Sequence, residues 1–107
     1  MNGQQLTAEV IADIEASGGK AINLIAASKA GNADIVACYK GKYIELEIKG
    51  RGDTEKPHQA LKLNEAIEAG GYAAFVYNIW EARKILTLID NGLPCDKVRI
   101  SMESVKL

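Results

Sequence analysis

Asp34, Glu47 and Lys49 are the residues of this chain whose types and spacing could do chemistry. Two carboxylates and a lysine near one end of a β-hairpin form a kit for holding a divalent metal ion against a phosphodiester. Whether they meet depends on the elements that carry them. Residues 33–39 and 42–49 are rich in β-branched and aromatic side chains and flank Lys40-Gly41, the pattern of two antiparallel strands joined by a tight turn. With a two-residue loop, Tyr39 faces Lys42, Ile35 faces Leu46, Ala37 faces Ile44 and Asp34 faces Glu47. Side chains alternate between the two faces of a strand. Ile35, Ala37, Tyr39, Ile44, Leu46 and Ile48 therefore share an apolar face, and Asp34, Val36, Cys38, Glu45, Glu47 and Lys49 share the other. A loop of one or three residues would turn Asp34 away from Glu47, so this reading is a statement about register.

Directly opposed residues in an antiparallel pair have Cβ atoms about 5 Å apart. Two carboxylates at about that distance repel by roughly 3 kcal/mol at an effective dielectric near 20. A bound cation reverses the sign of that term. Mg²⁺ suits the pair, because it takes oxygen ligands and commonly uses one or two carboxylates together with substrate phosphate and water. Lys49, two residues beyond Glu47 on the same face, is placed to orient an attacking water or to stabilise charge in the transition state. The competing reading is that Glu45, Glu47 and Lys49 are the solvated outer face of a half-exposed sheet.

Beyond these three residues, the ordered set Gly31-x-Ala33-Asp34, the Lys40-Gly41 turn, Glu47-x-Lys49 and Gln59 resembles the PD-(D/E)xK nuclease superfamily, and more narrowly the stand-alone VRR-NUC domains of phages and bacteria. The loop over 50–56, the helix opening Pro57-His58-Gln59 and the Ala-Gly-Gly-Tyr-Ala-Ala-Phe-Val segment over 69–76 extend the likeness, which runs from about Ser17 to Ala82. Glu-x-Lys alone occurs everywhere by chance; the ordered set is the specific part. Ala33 stands where that family most often has Pro, which only stiffens the turn. Many members carry a metal-site glutamate on the first helix. Glu9 is the candidate for it here, with Gln4 or Gln5 as alternatives.

The resemblance implies an α/β fold with a restriction-endonuclease-like core and a metal-dependent DNA endonuclease. In it, Asp34, Glu47 and the backbone carbonyl of Ile48 hold Mg²⁺ or Mn²⁺, Lys49 assists the attacking water and Gln59 orients that group. It further implies a homodimer acting on branched DNA, a Holliday junction or a flap, in replication, recombination or repair. The rival readings are a catalytically inactive DNA- or partner-binding module on the same fold, and a small α/β domain with no nucleic-acid role.

A chain of 107 residues makes one domain, 1–107. The net charge of −1 is unevenly spread: residues 29–62 carry +2 and the remainder −3. Lys29, Arg51 and Lys56 are the candidates for phosphate contacts, with solvated surface cations as the plain alternative. Arg51-Gly52-Asp53 matches a cell-adhesion triplet by chance. No apolar run is long enough to cross a bilayer, and residues 1–20 lack the pattern of a signal peptide. Cys38 and Cys95 read as free thiols in a reducing compartment, giving a cytoplasmic expectation, in a bacterium or a phage-infected host cell.

The remaining elements follow from periodicity and punctuation. Leu6, Val10, Ile11 and Ile14 mark a helix over 4–17, stopped by Gly18-Gly19. Residues 21–27 read as a strand and 28–33 as a loop. Pro57 opens a helix ended by Gly70-Gly71, 72–77 reads as a strand buried on both faces, and Asn78-x-x-Glu81 is a capping box for a helix to about residue 89. Residues 97–102 form a possible final edge strand. The order α-β-β-β-α-β-α predicts a mixed sheet flanked by helices on both faces. His58 reads as a surface or capping residue. Trp80 and the four tyrosines read as core or interface rather than base-stacking groups, with Tyr43 the one on the charged face.

Overall fold

The computed structural model describes residues 2–24, 33–50 and 52–100. The elements are α1 (Gly3–Ala16), β1 (Lys20–Asn23), β2 (Ile35–Tyr39), β3 (Lys42–Ile48), α2 (Pro57–Glu68), β4 (Tyr72–Val76) and α3 (Ile79–Asp90). This is the order read from the sequence. Lys29 and Arg51, the expected phosphate contacts, lie outside the described residues, as do most of the loop before Asp34 and the end of the strand expected over 21–27.

The hairpin turn sets the register. Lys40 has φ 49° and Gly41 φ 79°, the pair of positive values that a two-residue type I′ turn requires and whose twist matches the flanking strands. Tyr39 therefore pairs with Lys42, Ala37 with Ile44 and Ile35 with Leu46. The apolar face follows: Ile35 and Ile44 are fully buried, and Ala37, Leu46 and Ile48 nearly so. Each such large side chain contributes about 1.5–3 kcal/mol by leaving water. Outside the turn, Asp90 accepts from both the Tyr39 hydroxyl at 2.8 Å and Lys40 Nζ at 2.5 Å, tying the hairpin tip to the end of α3.

The sheet order is β1-β2-β3-β4, antiparallel except where β3 meets β4 in parallel. A parallel neighbour demands a crossover, and α2 supplies it. Because β4 is buried along its whole length, it needs cover on both faces. Leu6, Val10 and Ile14 of α1 join Ala82, Ile85 and Ile89 of α3 in the larger core, against the apolar face of the hairpin. Leu63 and Ala66 of α2 pack with Ala73 and Phe75 on the opposite face.

Three local expectations change. Asn78 Oδ1 accepts from the Glu81 N–H as a cap should, but the Glu81 carboxylate reaches past its partner to the Tyr77 N–H at 2.7 Å, so the reciprocal half of the expected box lands one residue early. The expected edge strand is a single parallel bridge, Phe75 to Arg99, with Phe75 N–H donating to the Val98 carbonyl; residues 101 and 102 lie outside the described residues. Trp80 is not core: it is 59% exposed, because it sits on the side of α3 away from Ala82, Ile85, Leu86 and Ile89.

Candidate active site

The three residues that opened the sequence reading meet at the end of β3 where the antiparallel hairpin passes into the parallel pair. Their face of the hairpin is not the solvated one. Glu47 is 6% and Lys49 5% exposed, because the crossover lays α2 over this half of the sheet. An ion buried there must be paired and hydrogen-bonded or neutralised.

β2 stops one residue short of Asp34, yet the register carries the expected opposition. Asp34 gives its backbone carbonyl to Leu24 N–H at 2.8 Å, and its Oδ2 accepts from Ile48 N–H at 2.8 Å. The carboxylate thus takes the donor that a continued β2 would have taken. In an antiparallel ladder a residue presents its N–H and C=O to the same neighbour, so the Ile48 carbonyl points toward the side on which Asp34 lies.

Glu47 has its pKa pushed up to about 7, chiefly by burial and next by the negative charge of Asp34, with Lys49 pulling the other way. Near neutrality its carboxyl is poised between its two charge states. Lys49 is anchored on every side: Nζ donates to Gln59 Oε1 at 2.7 Å and to the Thr54 carbonyl at 3.0 Å, stands 3.9 Å from Glu47 Oε1, and lies 5.7 Å from the centre of the Phe75 ring.

Gln59 joins the parts. It occupies the third position of α2, where its Oε1 also accepts the Lys56 backbone N–H at 3.1 Å, while its Nε2 donates to Glu47 Oε1 at 3.1 Å. The amide orientation is fixed by this set, since a flip would turn its NH₂ toward an ammonium and its carbonyl toward a carboxylate. One side chain therefore caps the helix, donates a hydrogen bond to Glu47 and aims Lys49. The exposed Lys56 is the N-cap residue beside it.

Among the described residues no three His, Cys, Asp or Glu side chains cluster as an all-protein metal cage. Asp34 and Glu47 do come together; Glu9 does not complete a set of three. It is an exposed residue of α1 that lines a cleft of about 380 Å³ together with Lys49, Gly50, Tyr77 and Trp80. Gln5, one alternative, is committed to the α1 capping box with Asn2; Gln4 is exposed. His58 is exposed on the first turn of α2.

Sequence reasoning missed three contributors. The Thr54 carbonyl leaves no side-chain signature. Asp53 ties the loop by accepting Gly50 N–H at 2.6 Å, for which the Gly-x-x-Asp spacing is the signal. The start of α1 reaches the site, since a Cβ on Gly50 would come within 3.1 Å of the Gly3 nitrogen; the Asn2–Gln5 box could have located that helix start.

No family model matches the chain, and no curated protein matches it. Among solved structures, a VRR_NUC domain superimposes with a TM-score of 0.62 at 19% identity, over 82% of this chain and 94% of that one. The fold expected from the motif set is therefore the fold observed.

Proposed function

We propose, from a fold shared with a VRR_NUC domain and a partly buried Asp34–Glu47–Lys49–Gln59 cluster at its sheet end, that this protein is a metal-dependent nuclease that hydrolyses DNA phosphodiesters. The observation that carries the reading is the pairing of Asp34 with Glu47. A buried carboxyl whose ionisation is opposed by a neighbouring carboxylate is what a divalent cation relieves.

The donor set fits Mg²⁺ or Mn²⁺. Asp34, Glu47 and the Ile48 carbonyl are oxygen donors, too few for a closed cage and suited to an ion that completes its shell with phosphate and water. When bound, such an ion supplies charge neutralisation at the phosphate and a more acidic water. The protein's own groups do the rest. Lys49 Nζ, fixed by Gln59 and Thr54, keeps a buried positive charge in the wall of the cleft beside Glu47, where it can hold a water or phosphate oxygen. Gln59 keeps the ammonium in place and shares the Glu47 oxygen. The starts of α1 and α2 both lie at this end of the sheet, and helix N-termini favour anions. Lys56, the exposed N-cap residue of α2, is the phosphate contact.

Small size favours a homodimer, and two sites related by a twofold axis suit a symmetric branched substrate; a cytoplasmic location goes with that role. The test is a cleavage panel of labelled linear, flap and four-way DNA with Mg²⁺ and with Mn²⁺, run beside Glu47→Gln, with the oligomeric state measured by sedimentation. Cutting by the wild type and none by the variant is the expected result. No cutting of any DNA would leave a DNA- or partner-binding module as the function.

A further inference from the structure

The cleft that Lys49 lines holds exposed aromatic surface. Trp80 is 59% and Tyr77 44% exposed, and both line the cleft with Lys49 and Gly50 on one side and Glu9 of α1 on another. Its volume of about 380 Å³ falls in the range of small-ligand pockets. An exposed tryptophan is ordinarily mobile, but this one is braced. The Arg83 guanidinium lies 4.9 Å from its ring centre, and Arg83 is itself pinned to both oxygens of Asp13 at 3.0–3.1 Å. Tyr77 is held in turn by a hydrogen bond from its hydroxyl to Glu55. Two rings are thus set in place facing solvent.

We propose that this cleft is a nucleobase-stacking subsite, with Trp80 as platform and Tyr77 as second wall, and that it takes an unpaired base of the bound strand. The choice of strand, the one whose phosphate lies at Asp34 and Glu47, rests on the nuclease reading; the stacking does not. Stacking on aromatic faces beside a cationic backbone contact is how single-stranded nucleic acid is held without sequence preference. The cleft carries the rings, and the part-exposed Arg83 guanidinium over Trp80 carries the cation. Glu9 adds an acceptor for the N–H groups on a base edge, which a lipid or a bare anion would not use. The base must be unpaired, because within a duplex both of its faces are covered by neighbours. The subsite therefore narrows the substrate to DNA with a flap, an end or an opened crossover at the cut.

Trp80 is the chain's single tryptophan, so its fluorescence reports on the subsite directly. The wild type is titrated in EDTA with a labelled single-stranded oligonucleotide and with one of equal length carrying abasic positions, following tryptophan emission and label anisotropy together. The expected result is quenching by the first and much less by the second. Trp80→Ala should weaken binding about five- to a hundredfold, and Trp80→Phe should retain most of it. Saturated anisotropy with unchanged emission, equal affinity of Trp80→Ala, or emission that shifts with protein concentration alone would overturn the proposal, the last by showing a second copy on the ring. Quenching by an oligonucleotide that no metal allows to be cut would keep the subsite and reject the nuclease; cutting without quenching would do the reverse.

Discussion

Gln59 Nε2 stands 3.1 Å from Glu47 Oε1, and that single hydrogen bond couples the first turn of α2 to the end of β3. The other end of the same amide receives Lys49 and the Lys56 N–H. Helix start and site geometry are therefore one structural unit.

Gln59→Ala should cost stability out of proportion to its half-buried position. It orphans buried donor and acceptor groups on Lys49 and Glu47, at about 1–3 kcal/mol, and removes a capping interaction of about 1 kcal/mol. Urea denaturation should show a lower midpoint with an unchanged slope, and cleavage should fall with it. Gln59→Glu should do worse above pH 7, since it sets a third carboxylate against Glu47.

The pH dependence of stability should carry the mark of Glu47. Its folded pKa, about 7, lies above the ordinary 4.5, so the folded protein keeps a proton that the unfolded chain releases. Stability from this group is full below about pH 4.5 and drains away as pH rises to 7, by on the order of 3 kcal/mol. Glu47→Gln holds the neutral form permanently. In metal-free buffer at pH 8 the variant should melt higher than the wild type although it cuts nothing, a stability gained where function is lost. Thermal melts from pH 4.5 to 8 read this directly.

Divalent ions should recover that loss. With Mg²⁺ or Mn²⁺ at about a hundred times its dissociation constant, the wild type should gain roughly 3 kcal/mol, or ten degrees or more of melting temperature for a domain of this size. The gain should grow between pH 6 and 8 as Glu47 loses its proton, and should be absent in Glu47→Gln and in Asp34→Asn. An equal shift from NaCl at matched ionic strength would count against a specific site.

Lys49→Ala separates chemistry from binding. The ammonium is buried and committed to Gln59, Thr54 and Glu47, so its removal should lower cleavage about 10²- to 10³-fold while DNA affinity changes little. It should also push the Glu47 pKa still higher, because the Lys49 charge holds it down. A carboxyl titration by NMR, beside single-turnover cleavage, checks both.

Hairpin register was legible because a Lys-Gly turn between two β-rich runs admits few geometries, and Lys40 and Gly41 adopt the one expected. The apolar face followed from period-two alternation alone. What covers the other face was not legible there. Alternation says that Glu47 and Lys49 share a side; their burial comes from α2, which a β-α-β crossover must place on one face or the other. Trp80, read as core or interface, lies outside the core for a related reason. Residue type argues for core, whereas its position opposite Ala82 and Ile85 on α3 argues for solvent, and position won. Gln59 was singled out only by resemblance, since nothing in its local sequence announces that one amide serves three partners.

The Lys49 backbone N–H donates to the Val76 carbonyl at 2.9 Å, a bond across twenty-seven positions of sequence. The hairpin can form early, from neighbours, but this bond waits for α2 to fold back and β4 to dock, a non-local step that is paid for in loop closure before it returns contacts. Until then the carboxylates and the ammonium stand in water, unaligned. A growing chain that has not yet completed β4 thus carries all of these side chains and none of their arrangement, so the site is assembled last, together with the finished fold.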